Sequence, residues 1–167
     1  MDHGLALKLT LLNALGKESW DALALLGEAL VLVPVAAFIG FHLWQRGMRS
    51  ETQAWGTGIA LCIMTVGLLK LGIPDFKWTL YGHTFHASGF PSGHAAMATV
   101  FWGGLALIAR DWRLAPLLLL PIPIVLVTVL VLWWHHTLDV VAGVAIGVTV
   151  LSPMLLRAPR RWRRSIA

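Results

Sequence analysis

The chain has 167 residues, of which 57% are hydrophobic and only 13% charged, and its mean hydropathy is +0.75. Soluble domains carry about 25% charged residues, so this chain has too little polar surface to cover a water-soluble globule. The composition excludes an ordinary soluble enzyme, a disordered tail and a nucleic-acid-binding module, and it indicates an integral membrane protein. The net charge of +5 comes from basic residues between and after apolar runs, where such residues set membrane orientation.

Five apolar segments have the length of membrane-spanning helices, which need about 17–20 mostly apolar residues. In chain order they are about Ala22–Trp44, Thr52–Leu69, His94–Ala109, Leu114–Trp134 and Leu138–Leu156. The first contains one acid, Glu28, and the prolines of the fourth predict a kink. The predicted fold class is all-α, a polytopic membrane bundle of about five transmembrane helices plus an N-terminal interfacial helix.

The first twenty residues differ from these spans, because their leucines recur at helical spacing with polar residues interspersed. The leucines are Leu5, Leu9, Leu12 and Leu15, and the polar residues are Lys8, Asn13 and Lys17. This pattern favours an amphipathic helix in the interface, anchored by Trp20, over a simple extension of the first span. The predicted organisation is an interfacial helix at 1–20, a transmembrane domain at 21–157 and a basic cytoplasmic tail at 158–167.

The arginines predict the orientation. All nine lie at 46–49, at 110–113 or after residue 156, and five spans put these three places on one side of the membrane. The positive-inside rule makes that side cytoplasmic, with the N-terminus outside and the C-terminus inside. The loop Lys70–Ser92 and the loop around His135 then share the outer side. We expect a multi-pass protein of the cell (inner) membrane whose site faces the periplasm or exterior.

The outer loops carry the residues that could perform chemistry. Ser92 is a good N-cap for the third span, and Gly93 lets backbone amides approach an anion at the helix start. His94 could protonate a leaving oxygen. His135 and Asp139 are four residues apart and share one helix face, so the aspartate can orient the histidine as a nucleophile or base.

The cations of the same loops favour a phosphoryl group as the target. Lys70 and Lys77 can neutralise phosphate charge, and the set is rich in cations and amide donors. Displacement on phosphorus therefore fits better than acyl transfer.

These residues resemble the type 2 phosphatidic acid phosphatase superfamily, whose pattern is K-x6-R-P, then P-S-G-H, then S-R-x5-H-x3-D. The second part is complete at Pro91, Ser92, Gly93 and His94, and the end of the third is complete at His135 and Asp139. The resemblance covers roughly residues 69–147. Singly the motifs are weak to moderate, but their order, spacing and shared membrane face make them specific together.

The sequence departs from that pattern at four positions. Lys70 and Lys77 have the spacing of the first motif, but Lys77 replaces the arginine and Trp78 the proline. In the third motif Thr128 and Val129 stand where serine and arginine are usual. The site would hold phosphate with lysines and without a bidentate guanidinium fork. Either His83, His86, His136 or the N-terminal lysines compensate, or the activity is weak, altered or absent.

The resemblance implies a role for each matching residue. His135 would be the nucleophile that forms a phosphohistidine, Asp139 would orient it and His94 would protonate the leaving group. Ser92 and Gly93 would cradle the phosphoryl oxygens, with Lys70 and Lys77 as counter-charges. The family needs no metal, so no cofactor is expected. The outer histidines lack zinc-ligand spacing.

The leading prediction is an integral membrane phosphatase of a lipid phosphate or diphosphate, such as a polyprenyl diphosphate, a phosphatidate-like lipid or a lipid A phosphate. The expected partners are that substrate and the bilayer, with no nucleic acid. The alternatives are a lipid-to-lipid phosphotransferase and a non-catalytic phospholipid-binding membrane protein, which the valine at 129 favours.

Overall fold

The structure is a computed structural model that describes residues 3–72, 77–80, 83–86, 89–109, 111 and 113–157. Its α-helices are α1 (His3–Leu15), α2 (Lys17–Ala24), α3 (Ala29–Gln45), α4 (Arg49–Gly72), α5 (Gly93–Ala109), α6 (Ala115–Leu119), α7 (Pro121–Val131) and α8 (Thr137–Arg157). A 3-10 turn, Leu25–Gly27, separates α2 from α3. This helical bundle confirms the predicted fold class.

A short β-hairpin replaces part of the expected outer loop. Strands β1 (Lys77–Leu80) and β2 (His83–His86) pair antiparallel, with Lys77 opposite His86 and Leu80 opposite His83. Polar, β-branched and aromatic residues alternate along both strands, and two residues connect them, which is the sequence signature of a hairpin. The predicted loop Lys70–Ser92 therefore contains eight residues in strands. Their alternating residue types indicate strands, although the loop was predicted from its charged residues and histidines.

The long apolar helices of the bundle follow the same chain order as the predicted apolar segments. By length and composition, α4 and α8 can each cross a membrane, and the stretch Lys17–Gly27 with α3 makes a third span bent by 47°. Helix α5 and the α6–α7 pair are shorter apolar helices. The fourth segment is divided into α6 and α7 at Leu120, immediately before Pro121, although Leu120 keeps helical backbone angles. The predicted kink stays a prediction.

Two boundaries near the N-terminus differ from the predictions. The helix of the first span begins at Ala29 rather than near Ala22, because the chain leaves α2 through the 3-10 turn and Glu28 is extended. The predicted N-terminal helix is divided at Gly16, whose φ of 75° lies in the left-handed region that glycine favours. Its location in the membrane interface stays a prediction.

Helix α5 forms the centre of the bundle. Most of its residues are buried, and it packs against α3, α4, α7 and α8. The closest approach is to α8, where a Cβ on Gly143 would collide with the Ser92 carbonyl oxygen and a Cβ on Gly147 would lie 2.6 Å from the Thr99 Cβ. Glycine at these positions therefore lets α8 lie directly on the start of α5.

The outer surface of the bundle is apolar. Large side chains such as Leu30, Phe38 and Leu71 are 74–85% exposed. A water-soluble monomer rarely exposes contiguous apolar area of this extent, whereas lipid tails solvate it without penalty. The exposed surface agrees with a membrane protein.

Candidate active site

Five side chains that carry chemistry lie at one end of the bundle. Glu28 precedes α3, Lys70 lies in the last turn of α4, His94 in the first turn of α5, His135 follows α7, and Asp139 lies in the first turn of α8. The arginine-bearing connections follow α3 and α5 and so lie at the opposite helix ends. The alternation of helix direction that the sequence predicted is thus present in the fold.

The Pro91-Ser92-Gly93-His94 segment is fastened to α8. The hydroxyl of Ser92 accepts a hydrogen bond from the Ala95 N–H at 3.3 Å, so Ser92 is the N-cap of α5 as predicted. The Ser92 N–H donates to the Asp139 carbonyl oxygen at 2.9 Å. The second bond joins the second motif to the third, and Ser92 is fully buried.

A cavity of about 320 Å³ lies between these helix ends. Lys70, Gly93, His94 and His135 line it together with Glu28. Ser92 is buried and is not one of the residues that line the cavity. Four predicted site residues therefore meet at one cavity large enough for a phosphoryl group.

His135 and Asp139 are close but not directly hydrogen-bonded. The His135 Nδ1 atom is 3.8 Å from the Asp139 Oδ2 atom, and Oδ2 instead accepts the backbone N–H of His136 at 2.8 Å. Burial lowers the pKa of His135 from 6.5 to about 4, although the Asp139 charge opposes this. His135 is therefore neutral, with an unprotonated ring nitrogen, at ordinary pH.

The connection between α7 and α8 holds His135 through backbone bonds. The N–H groups of Trp134 and His135 both donate to the Val129 carbonyl oxygen, at 3.1 and 3.3 Å, and Trp133 donates to Leu130. This is the Schellman pattern of helix ends, in which the left-handed residue is usually glycine. Here that residue is Trp133, with φ 61°, and its ring carries the Lys8 ammonium 4.2 Å from the centroid.

Val129, which occupies the motif's arginine position, does not reach the cavity. Its side chain is fully buried in an apolar cluster with Ala95, Ala98, Val125 and Val140. The short branched side chain packs toward α5 and α8 instead.

Glu28 is a site residue whose partner the sequence did not predict. An acid inside an apolar segment marked it as a functional candidate. In the fold its Oε2 atom lies 2.9 Å from the His94 Nε2 atom. The two residues are 66 positions apart, and no motif spacing links them.

Of the remaining predicted site residues, three lie on the β-hairpin and one, His136, lies beside Asp139. Lys77, His83 and His86 are on the hairpin, and their side chains are outside the described part of the structure. His136 is half exposed, with its Nδ1 atom 3.7 Å from Asp139 Oδ2. In the described ranges no three His, Cys, Asp or Glu side chains cluster as metal ligands.

The fold is that of a helical membrane protein, and several polar and ionisable side chains meet at one cavity at one end of its bundle. The family model of the PAP2 superfamily matches residues 53–163, which is most of the chain and includes every motif discussed above. The protein belongs to the PAP2 superfamily. Members of this family are generally phosphatase-type hydrolases. No curated protein and no solved structure matches the chain.

Proposed function

We propose that the protein hydrolyses the phosphate ester or diphosphate of a membrane lipid through a phosphohistidine on His135. The observation that carries this proposal is the cavity that Lys70, His94 and His135 line together, at a family motif that is complete in its second part. A cation, a proton donor and a neutral imidazole around one cavity are the groups that phosphoryl displacement needs.

The chemistry follows from which nitrogen is free. Because Nδ1 of His135 faces Asp139, Nε2 is the atom that attacks phosphorus. The bond from phosphorus to the leaving oxygen breaks, and His94 gives its proton to that oxygen. Water then attacks the phosphohistidine and gives a proton back to His94, the bond between phosphorus and Nε2 breaks, and inorganic phosphate leaves. Lys70 balances the phosphoryl charge, with Lys77, Ser92 and Gly93 as further contributors.

A lipid substrate is supported by an apolar groove beside the cavity. The groove has a volume of about 600 Å³, lies between α3 and α4, and shares the residue Ile63 with the reactive cavity. A phosphate at Lys70 would leave an attached hydrocarbon chain at the mouth of this groove. A soluble phosphate ester has no hydrocarbon chain that would bind in this apolar groove.

The proposed orientation puts the cavity on the extracytoplasmic side of the inner membrane. It is supported by the arginines, which follow the helix ends opposite the cavity. We expect His83→Cys, in a Cys62→Ala background, to be labelled by an impermeant maleimide from outside intact cells. Labelling from the cytoplasmic side alone would reverse the orientation. Cys62 is buried within α4, so its removal mainly lowers the background.

Phosphate release from purified protein tests the activity. The panel should contain a polyprenyl diphosphate, a phosphatidate and a lipid A phosphate, each with the His135→Ala variant as control. We expect release from at least one lipid, with phosphate trapped on the wild type after acid quench and none on the variant. Near-normal activity of His135→Ala would refute the mechanism.

The same assay separates the rivals. Transfer to a second lipid predicts phosphoenzyme without stoichiometric free phosphate, and a radiolabelled acceptor lipid detects it. A non-catalytic lipid-binding protein is favoured by the apolar packing of Val129, because the usual guanidinium is missing. It predicts neither phosphate release nor a phosphoenzyme with any lipid of the panel.

A further inference from the structure

We propose that Glu28 is a positioning residue for His94, so that each of the two reactive histidines has its own carboxylate. The proposal rests on the proposed function, in which His94 protonates the leaving group. Glu28 would fix the ring through Nε2 and favour its protonated form. This pairing would operate beside the pairing of His135 with Asp139.

The contact itself is short and lies at the reaction centre. The Glu28 Oε2 atom and the His94 Nε2 atom are 2.9 Å apart, and both residues line the cavity. Their side chains are 33% and 20% exposed, so the pair is partly desolvated. A charged hydrogen bond of this length in such a setting is stronger than one at an open surface.

The helix break before α3 is built in a way that brings Glu28 to His94. The Trp102 indole N–H donates to the Leu26 carbonyl oxygen at 2.8 Å, which ties the 3-10 turn to α5. A Cβ on Gly27 would come within 2.9 Å of the His94 carbonyl oxygen, so only glycine lets the turn lie this close. The 47° bend thus directs the next residue into the cavity.

Helix capping alone does not account for the glutamate. Glu28 is the N-cap of α3, but its Oε1 atom accepts the Leu30 N–H only at 3.4 Å. Serine, threonine, aspartate and asparagine cap more effectively because their shorter side chains fold back onto the backbone. The longer side chain leaves Oε2 for His94 while Oε1 remains at the helix start.

The assignment fixes the direction of proton flow. Glu28 as a carboxylate only accepts hydrogen bonds, so Nε2 of His94 carries a proton and Nδ1 exchanges one with substrate. The groups near His94 from the packed elements are Glu28, Lys70, His135 and the ring of Trp134. Among these, Glu28 is the carboxylate beside the His94 ring and Lys70 is the cation.

The variant Glu28→Gln tests this, because it keeps the shape and an acceptor oxygen but removes the charge. We expect kcat on the lipid substrate to fall at least about tenfold. We also expect the alkaline limb of the kcat profile to move down by about 1 pH unit or more. An activated nitrophenyl phosphate, which needs little protonation, should lose much less. Glu28→Asp should recover part of the alkaline limb.

The matched control is Glu18→Gln, the same chemical change at an exposed position of α2. It should leave both kcat and the pH profile unchanged. A merely structural role for Glu28 would lower the activity on both substrates equally and leave the alkaline limb in place. That result, or unchanged kinetics in Glu28→Gln, would overturn the proposal.

A second measurement separates this inference from the proposed function. Ring-nitrogen NMR of histidine-labelled protein in detergent follows the titration of His94, assigned with His94→Gln. We expect the His94 titration in Glu28→Gln to move to lower pH, with no change in Glu18→Gln. If the wild type releases no phosphate from any lipid, the proposed function fails. The NMR titration then decides by itself whether Glu28 controls His94.

Discussion

The Nδ1 atom of His135 lies 3.8 Å from the Oδ2 atom of Asp139, too far for a hydrogen bond, and the backbone of Gly89 lies against the same ring. Catalytic hydrogen bonds are often long before substrate binds and tighten as charge develops on the ring. We therefore expect Asp139 to act mainly on the charged imidazole of the phosphohistidine, rather than on the free enzyme.

The first prediction is that Asp139→Asn slows formation of the phosphoenzyme by roughly 10²-fold or more, because the developing positive charge loses its carboxylate. Rapid-quench measurement of the trapped phosphate checks it. Asp111→Asn is the matched control, because it makes the same chemical change just after α5, at the helix end opposite the cavity. An equal loss in both variants would show that the effect does not come from the loss of the carboxylate beside His135.

The second prediction concerns pH. Burial lowers the pKa of His135 to about 4, below its unfolded value of 6.5, so the unfolded chain binds the extra proton first. The stability that the neutral ring contributes is complete above pH 6.5 and is lost as the pH falls toward 4. Against His135→Gln, the wild type should lose up to about 1.4 kcal/mol more per pH unit within this window. Thermal unfolding in detergent measures the difference, and parallel curves would contradict it.

The third prediction concerns the lysines that must hold phosphate without an arginine. Lys70→Ala and Lys77→Ala should each lower kcat/KM at least about tenfold, or about 1.4 kcal/mol. Arg49→Ala is the control, because Arg49 is an exposed cation at the start of α4, the end of that helix opposite Lys70. Full activity in the Lys70→Ala, Lys77→Ala double variant would instead favour a pocket of His83, His86 and backbone amides.

The fourth prediction is that Val129→Arg destabilises the protein. The side chain at 129 is fully buried against Ala95, Ala98, Val125 and Val140, so the larger guanidinium side chain would lose its hydration and overpack this cluster. We expect a loss of at least about 2 kcal/mol by thermal unfolding, against a smaller effect of Val129→Ile. A stable Val129→Arg protein that binds vanadate more tightly would mean that the arginine reaches the phosphate site after all.

The fifth prediction compares two truncations of Trp133. Both Trp133→Gly and Trp133→Ala remove the ring and its contact with Lys8, but only glycine adopts φ 61° without strain. The glycine variant should therefore be more stable by about 1 kcal/mol, or about 2–4 °C in melting temperature. Equal melting temperatures would show that the left-handed conformation carries no cost.

The sequence was sufficient for features that depend on local pattern. Apolar runs predicted the helices, and Ser92 was predicted as the cap that it forms. The positions of the arginines, with spans that alternate in direction, predicted that the second motif lies at the same end of the bundle as His135 and Asp139. Each of these inferences uses neighbours in the chain or the direction of a whole helix.

Features that depend on tertiary packing were not predictable. The pairing of Glu28 with His94 requires the bend at 25–28 to lie against α5, which the close contact at Gly27 decides. The inward packing of Val129 depends on small residues of α5, not on its own motif. The distance between His135 and Asp139 depends on the competing N–H of His136, which helix periodicity does not reveal.

The hydrogen bond from the Ser92 N–H to the Asp139 carbonyl joins the start of α5 to the start of the last helix of the bundle. During synthesis the first four apolar segments leave the ribosome before that partner exists. A chain arrested before α8 would hold His94 and Lys70 in the membrane but would lack the clamp and the aspartate that complete the reaction centre. Under the proposed function, a chain would therefore become active only after its last helix has been added.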